Sequence, residues 1–266
     1  MSFDVRPLSN ALGAEITGLN VGQALDNVTF KAIRKAYLDY QVLVFREQSI
    51  SPRQQIDFSK QFGPLDAHPS QGTNHPKGYP EILIVSTRTE NGRDVGLRNA
   101  GPRWHSDLAY RKRPALGSML YAVELPDNGG DTGFANMIAA YDALPSTLKN
   151  AIDGQLATFS SKREGIDTSH PAIRTHPETG TRSIFVNPQL TSGIEGMNDT
   201  DASALLNDIY AHCRQARFVY WHRWQPGDLV FWDNRCVLHI ADHSRLDDPT
   251  YIRHMHRTTI AGDVPY

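Results

Sequence analysis

A chain of 266 residues, 39% of them hydrophobic, is long enough to bury one large core, and it reads as a single domain over 1–266. Its 27 basic and 29 acidic side chains leave a formal net charge of −2, which gives no face for a polyanion and excludes nucleic acid as the expected partner. No segment offers the roughly 18 uninterrupted apolar residues of a membrane span, so no membrane association is expected.

The opening stretch lacks a basic segment followed by an apolar run, so no signal peptide is expected. Short strands are expected at Phe3–Val5 and Ala14–Ile16, on either side of Gly13. Asp26 or Asn27 is placed to cap a helix from Val28 to Asp39, with Phe30, Ile33, Tyr37 and Leu38 on one stripe. Gln41–Arg46 reads as a buried strand, and Ser51-Pro52 opens a helix that Gly63-Pro64 stops after Phe62. Residues 66–104 read as loop around one strand, Ile82–Ser86. The polar, glycine-rich run 89–101 is long for a connection and has the character of a lid.

Further strands are expected at Ser118–Val123, Thr132–Ala135, Ser183–Val186, Asp228–Trp232, Val237–Ala241 and Tyr251–Thr259. Helices are expected from Met137 through Leu144 and on past Pro145, and from Asp199 to Ala216. The pattern is mainly β with flanking helices, a double-sheet core of sandwich or barrel type. Two cysteines, Cys213 and Cys236, cannot build a disulfide framework, which fits a reducing cytoplasm.

Trp104-His105-Ser106-Asp107 sets an imidazole and a carboxylate two positions apart, on one face if the segment is extended. His239, on a separate strand, is a third donor. Two histidines and a carboxylate on one octahedral face suit non-haem Fe(II) and leave three positions open, enough for a bidentate 2-oxoacid and O2. The same residue types also suit zinc hydrolysis, so the spacing alone leaves a metal-dependent hydrolase or a non-catalytic anion-binding β-barrel as alternatives. Downstream, Arg253 and Arg257 share a face if 251–259 is a strand. A buried arginine facing a metal needs an anion, and the distal carboxylate of 2-oxoglutarate is a bidentate partner for one guanidinium.

Trp-His-Ser-Asp at 104–107, Gly-Gly-Asp-Thr at 129–132, Trp-Asp-Asn-Arg at 232–235 with His239, and Arg-His-Met-His-Arg at 253–257 resemble the taurine dioxygenase/2,4-dichlorophenoxyacetate dioxygenase family. The likeness runs through nearly the whole chain, including Gln61-Phe-Gly-Pro64 and Arg174-Thr-His-Pro-Glu-Thr-Gly180. It implies a double-stranded β-helix (jelly-roll) core, a facial triad of His105, Asp107 and His239, and 2-oxoglutarate held by Thr132 and Arg253. It further implies that Arg257 and His68 meet a small anionic organic substrate. That substrate is hydroxylated with O2 while 2-oxoglutarate is converted to succinate and CO2. A homo-oligomer, dimer or tetramer, is the family expectation.

Three departures from taurine dioxygenase stand out. The step from His239 to Arg253 is longer, with Arg245–Thr250 as the extra loop and Arg245 as a rival for the role of Arg253. The insert at 159–172 is shorter. Gln71, Gly101 and Leu190 replace an expected tyrosine, asparagine and phenylalanine, which points away from taurine and toward a larger carboxylate or sulfonate, aryloxyalkanoate or organosulfonate in type.

Overall fold

In the computed structural model, residues 3–67 and 75–266 are described. The chain opens with strands β1 (Asp4–Pro7) and β2 (Ala14–Thr17), helix α1 (Asn27–Tyr40), strand β3 (Val42–Phe45) and helix α2 (Pro52–Lys60). Strand β4 (Ile82–Ser86) follows, then the small hairpin β5 (Thr89–Glu90) and β6 (Arg93–Asp94), the long β7 (Ala115–Glu124) and β8 (Thr132–Asn136). Helices α3 (Met137–Asp142) and α4 (Ser146–Ile152) lead to β9 (Leu156–Ser161), β10 (Ile166–Pro171), β11 (Ile173–Thr175), β12 (Arg182–Ile184) and β13 (Thr191–Ile194). Helix α5 (Asp199–Cys213) precedes β14 (Val219–His222), β15 (Leu229–Asp233), β16 (Val237–Ala241) and β17 (His254–Ala261).

Local chemistry sets the helix ends. Asp26 caps α1 by accepting from the Thr29 N–H, and Gln41 ends it in the left-handed region at φ 61°. Ser51 and Gln54 form a reciprocal capping box at α2, with Pro52 in the first turn. The helix expected to run on past Pro145 is two helices: α3 stops at Asp142 and α4 starts after Pro145. Proline supplies no N–H and crowds the preceding turn, so one continuous helix is not available to this sequence.

Two sheets face each other as a jelly-roll. The larger has the order β1-β2-β3-β15-β7-β17-β4, and the smaller β14-β8-β16. Pairing is antiparallel throughout these sheets except between β2 and β3. Alternation along β3 and β15 divides the apolar residues: Val42, Val44, Val230 and Trp232 point between the sheets to meet Phe134 and Val237. Leu43, Phe45 and Phe231 point outward, under α1 and α2. There Tyr37 stacks on Phe231 at a centroid distance of 4.0 Å. A third cluster packs α3 and α5 with Phe159 and Phe185 beyond the smaller sheet.

The last strand starts later than the sequence pattern suggests, at His254 rather than Tyr251. The Thr87 hydroxyl donates to the Tyr251 carbonyl (2.7 Å) and accepts from the Arg253 N–H (2.9 Å), so these backbone groups are bonded to a side chain instead of a neighbouring strand. The register shift between His254 and Met255 then sets the start of regular pairing with β7.

Candidate active site

The smaller sheet and the segment before β7 bring the three donors together. His105 forms a single bridge with His239 on β16, its N–H donating to the His239 carbonyl (3.0 Å) and its carbonyl accepting in return (2.8 Å). The extended strand expected through 104–107 is therefore one bridging residue followed by a turn, in which Leu108 has φ 58°. The turn carries Asp107 back toward both imidazoles. Asp107 Oδ1 lies 3.8 Å from His105 Nε2, and Oδ2 lies 3.7 Å from His239 Nε2.

All three side chains are buried, and the burial sorts their protonation. It pushes the His105 imidazole down, against the pull of Asp107, and holds His239 well below the usual histidine range with His105 adding to the effect. Burial alone would raise the Asp107 carboxyl, but Arg257 and then the two histidines hold it well below the usual carboxylate range. The result is two neutral imidazoles and one carboxylate with ligand atoms within 4.8 Å of one another, a donor set with lone pairs free for one cation.

The predicted anion-binding residues open onto the same space. His105, His239, Thr132, Arg253 and Arg257 line one cavity of about 410 Å³, its open mouth included, with Trp232 and Leu120. Thr132 begins β8, and its hydroxyl accepts from the Trp224 indole N–H at 3.0 Å. Arg253 lies over the Trp224 ring, 5.5 Å from its centroid, and donates from Nε to the Gly130 carbonyl. No carboxylate among the described residues pairs with it, and burial draws its guanidinium below the ordinary arginine value. Arg245 is placed elsewhere, bound to Asn128 and Asp248, so it does not stand in for Arg253. Arg257, on β17, donates from Nη1 to Asp107 Oδ1 at 2.9 Å, while its Nε has no partner among the described residues. His68 and Gln71 lie outside the described residues.

Outside the metal-facing cavity lies a wider recess shared by Asp107 and Arg257. Its walls are Leu83, Leu97, Leu108 and Leu190, and Arg163 and Glu164 stand at its edge on the turn between β9 and β10. That turn belongs to the segment 159–172, which forms the β9–β10 hairpin. Gly101 adjoins the centre: a Cβ there would meet His105 Cε1 at 2.7 Å, closer than side chains tolerate.

Comparison with known proteins decides the relationship. Residues 4–259 match the family described as taurine catabolism dioxygenase TauD, TfdA family. The chain belongs to this family.

Among its relatives is the alpha-ketoglutarate-dependent 2,4-dichlorophenoxyacetate dioxygenase of Cupriavidus pinatubonensis, 34% identical over 99% of both chains. Another is the alpha-ketoglutarate-dependent sulfate ester dioxygenase of Pseudomonas putida, 29% identical over all of this chain and 91% of that one. A taurine dioxygenase structure from Burkholderia xenovorans superposes with a TM-score of 0.89 at 34% identity, covering 100% of this chain and 91% of that one. The structure of AAD-2 with Mn(II) and N-oxalylglycine gives 0.82 at 28%, covering 100% and 99%. The protein is thus a TauD/TfdA-type dioxygenase that uses Fe(II), 2-oxoglutarate and O2, and the hydrolase and non-catalytic alternatives fall away.

Several residues of this dioxygenase site were not singled out by the sequence pattern. Asn234 accepts through Oδ1 from the Asp107 N–H (3.0 Å) and from the Trp232 indole (3.1 Å), and donates to Ser118 Oγ (3.1 Å). Ser118 in turn donates to Asp107 Oδ2 at 2.7 Å. Asp233-Asn234 reads from sequence as a tight turn, and the turn is there, but its side chains are the point. His176 lies buried against Asp233, 3.1 Å from Oδ2.

Cys236 completes a second group, with Asp233 and His176, whose ligand atoms also lie within 4.8 Å. There, however, Arg235 takes both oxygens of Asp233, at 2.8 and 2.6 Å, and burial pushes the Cys236 thiol well above its usual range. A carboxylate already paired with a guanidinium, beside a protonated thiol, is a poor cation site.

Proposed function

We propose that His105, Asp107 and His239 hold the iron, that Thr132 and Arg253 hold 2-oxoglutarate, and that Arg257 and His68 meet the anionic group of a small organic substrate. One observation carries this reading: a buried Arg253 with no carboxylate partner among the described residues lines the same cavity as His105 and His239, whose ligand atoms cluster with that of Asp107. An uncompensated buried cation is costly, and a dicarboxylate spanning metal and guanidinium removes the cost. His68 enters through its place in Asp66-Ala-His68-Pro69 alone.

The net reaction converts R–H, O2 and 2-oxoglutarate to R–OH, succinate and CO2. Iron, when bound, supplies the activation of O2. The chain supplies positioning. Ser118 and Arg257 fix one oxygen each of Asp107, and the Trp232 ring, 4.7 Å from that of His239, walls the centre from the core. Arg257 also reaches the outer recess, where a substrate anion would share it with Asp107 while Leu83, Leu97, Leu108 and Leu190 cover an apolar body. A substrate of aryloxyalkanoate or organosulfonate type suits that division. Relatives act on 2,4-dichlorophenoxyacetate and on sulfate esters.

Anaerobic titration tests the site. Fe(II) and 2-oxoglutarate together should give a visible charge-transfer band in the wild type and none in His105→Ala. Succinate release across a panel of aryloxyalkanoates, sulfonates, sulfate esters and phosphonates should then pick out the anionic apolar members. Equal stimulation by neutral analogues would overturn the role of Arg257.

We also read residues 1–266 as one dioxygenase domain, working in the cytoplasm as a homo-oligomer, a dimer or tetramer. Two unpaired buried cysteines support the reducing compartment. No helix of the described residues is long and apolar enough to cross a membrane.

A further inference from the structure

One buried polar group lines a small cavity adjoining that of the metal donors and has no hydrogen-bond partner among the described residues. Tyr251 is 3% exposed, and its hydroxyl has no hydrogen bond among the described residues. Buried hydroxyls normally find partners, so an orphan beside a ligand cavity points to a ligand acceptor.

Gly130 locates that hydroxyl. With φ +79°, Gly130 leaves a space in which a Cβ would stand 2.5 Å from the Tyr251 hydroxyl, 3.0 Å from Arg253 Cδ and 3.3 Å from Arg253 Nε. The phenol oxygen and the guanidinium thus crowd one point, which only a glycine leaves open. Tyr251 and Arg253 together line a small adjoining cavity with Ser86, Thr87 and Asp242, and it shares Val85, Ala100, Ala241 and Arg253 with the cavity at the metal donors.

The tyrosine is also held still. Thr87 ties its carbonyl and the Arg253 N–H to one hydroxyl, and its N–H donates to the Asp248 carbonyl. The Arg245 guanidinium lies 5.4 Å from the ring centroid, itself anchored to Asn128 and Asp248. The extra loop Arg245–Thr250 therefore serves as the backing of this wall.

We propose that the Tyr251 hydroxyl donates a hydrogen bond to the distal carboxylate of 2-oxoglutarate, beside Arg253, and that Gly130 and the Arg245–Thr250 loop hold it there. This rests on the assignment of Arg253 to that carboxylate.

The experiment measures binding of 2-oxoglutarate and of 2-oxobutyrate, which lacks the distal carboxylate, to the Mn(II)-loaded protein by anaerobic calorimetry. Tyr251→Phe should raise the Kd for 2-oxoglutarate roughly tenfold, the size of one hydrogen bond to a charged group, and leave that for 2-oxobutyrate unchanged. An equal effect on both oxoacids, or none on either, overturns the proposal. Arg253→Ala runs beside it. If that variant loses 2-oxoglutarate affinity while Tyr251→Phe keeps it, the hydroxyl is not a ligand; if Arg253→Ala binds 2-oxoglutarate normally, the carboxylate lies elsewhere and the underlying assignment fails too.

Discussion

Consecutive residues of one turn, Asp233 and Asn234, serve two buried clusters that differ in what they leave unfinished. Each cluster contains histidine, aspartate and arginine, and each sets three potential metal-binding atoms within 4.8 Å. Around Asp233 the groups satisfy one another: Arg235 takes both oxygens, and Glu178 then links Arg235 Nη1 to Arg34 of α1. Around Asp107 the histidines keep free lone pairs, and Arg253 nearby has no counter-anion among the described residues. Geometry alone does not separate a metal centre from a structural ion cluster. Saturation does.

The sharpest way to break the contrast is to remove one carboxylate from the open cluster. Asp107→Ala should cut succinate formation by about a thousandfold or more, and should abolish the rise in Tm that Mn(II) gives the wild type. Substantial residual turnover with an intact metal-dependent Tm shift would show that the iron sits elsewhere. Cys236→Ala, in the closed cluster, should keep both.

In the closed cluster the loss should be in stability. Arg235→Ala leaves Asp233 buried and unpaired, and should cost about 3–5 kcal/mol in urea unfolding. The folded fraction should retain its affinity for 2-oxoglutarate. A variant as stable as wild type would mean that the pair contributes little beyond its own desolvation.

Asn234 sits at the join, bonded to the open side and adjacent in sequence to the closed one. Asn234→Ala should weaken Mn(II) binding by about 10–100-fold, read by calorimetry, because Asp107 loses a backbone anchor and Ser118 loses its donor. Unchanged affinity would reduce Asn234 to turn geometry.

The smallest effect concerns the buried His254 and the half-buried His256, which have no carboxylate hydrogen bond among the described residues. Burial lowers His254, and burial with His254 as neighbour lowers His256 to about 4. Between that value and the ordinary histidine pKa of about 6.5, the unfolded chain binds more protons than the folded one, so stability is full above that range and falls as pH drops through it. Tm should fall by a few degrees from pH 7.5 to 5, and His256→Gln should flatten the slope. An unchanged slope in that variant assigns the acid sensitivity to other groups.

Sequence pattern reached the two-sheet core because β3 and β15 are short apolar runs and the strands are punctuated by Gly, Pro and Asn. It also named His105, Asp107 and His239 together with Thr132 and Arg253, all of which converge, since the motifs around them are dense. What it missed depends on distant partners. Nothing local says that Thr87 delays the start of β17, that the Asp107 backbone hangs from Asn234, or that His176 turns inward to Asp233. Pro145 marks the break in its own right, while the apolar periodicity on both sides of it suggests one continuous helix.

The outer recess has a different origin from the centre it serves. The donors and Arg257 stand on or against paired strands, whereas Leu97, Arg163, Glu164 and Leu190 lie on connecting segments that carry little of the core. Substitutions there can reshape which molecules enter without disturbing the apparatus that oxidises them. Libraries confined to those three segments are accordingly the economical starting point for retargeting this enzyme, and natural drift in the same places gives one catalytic scaffold room to acquire new diets.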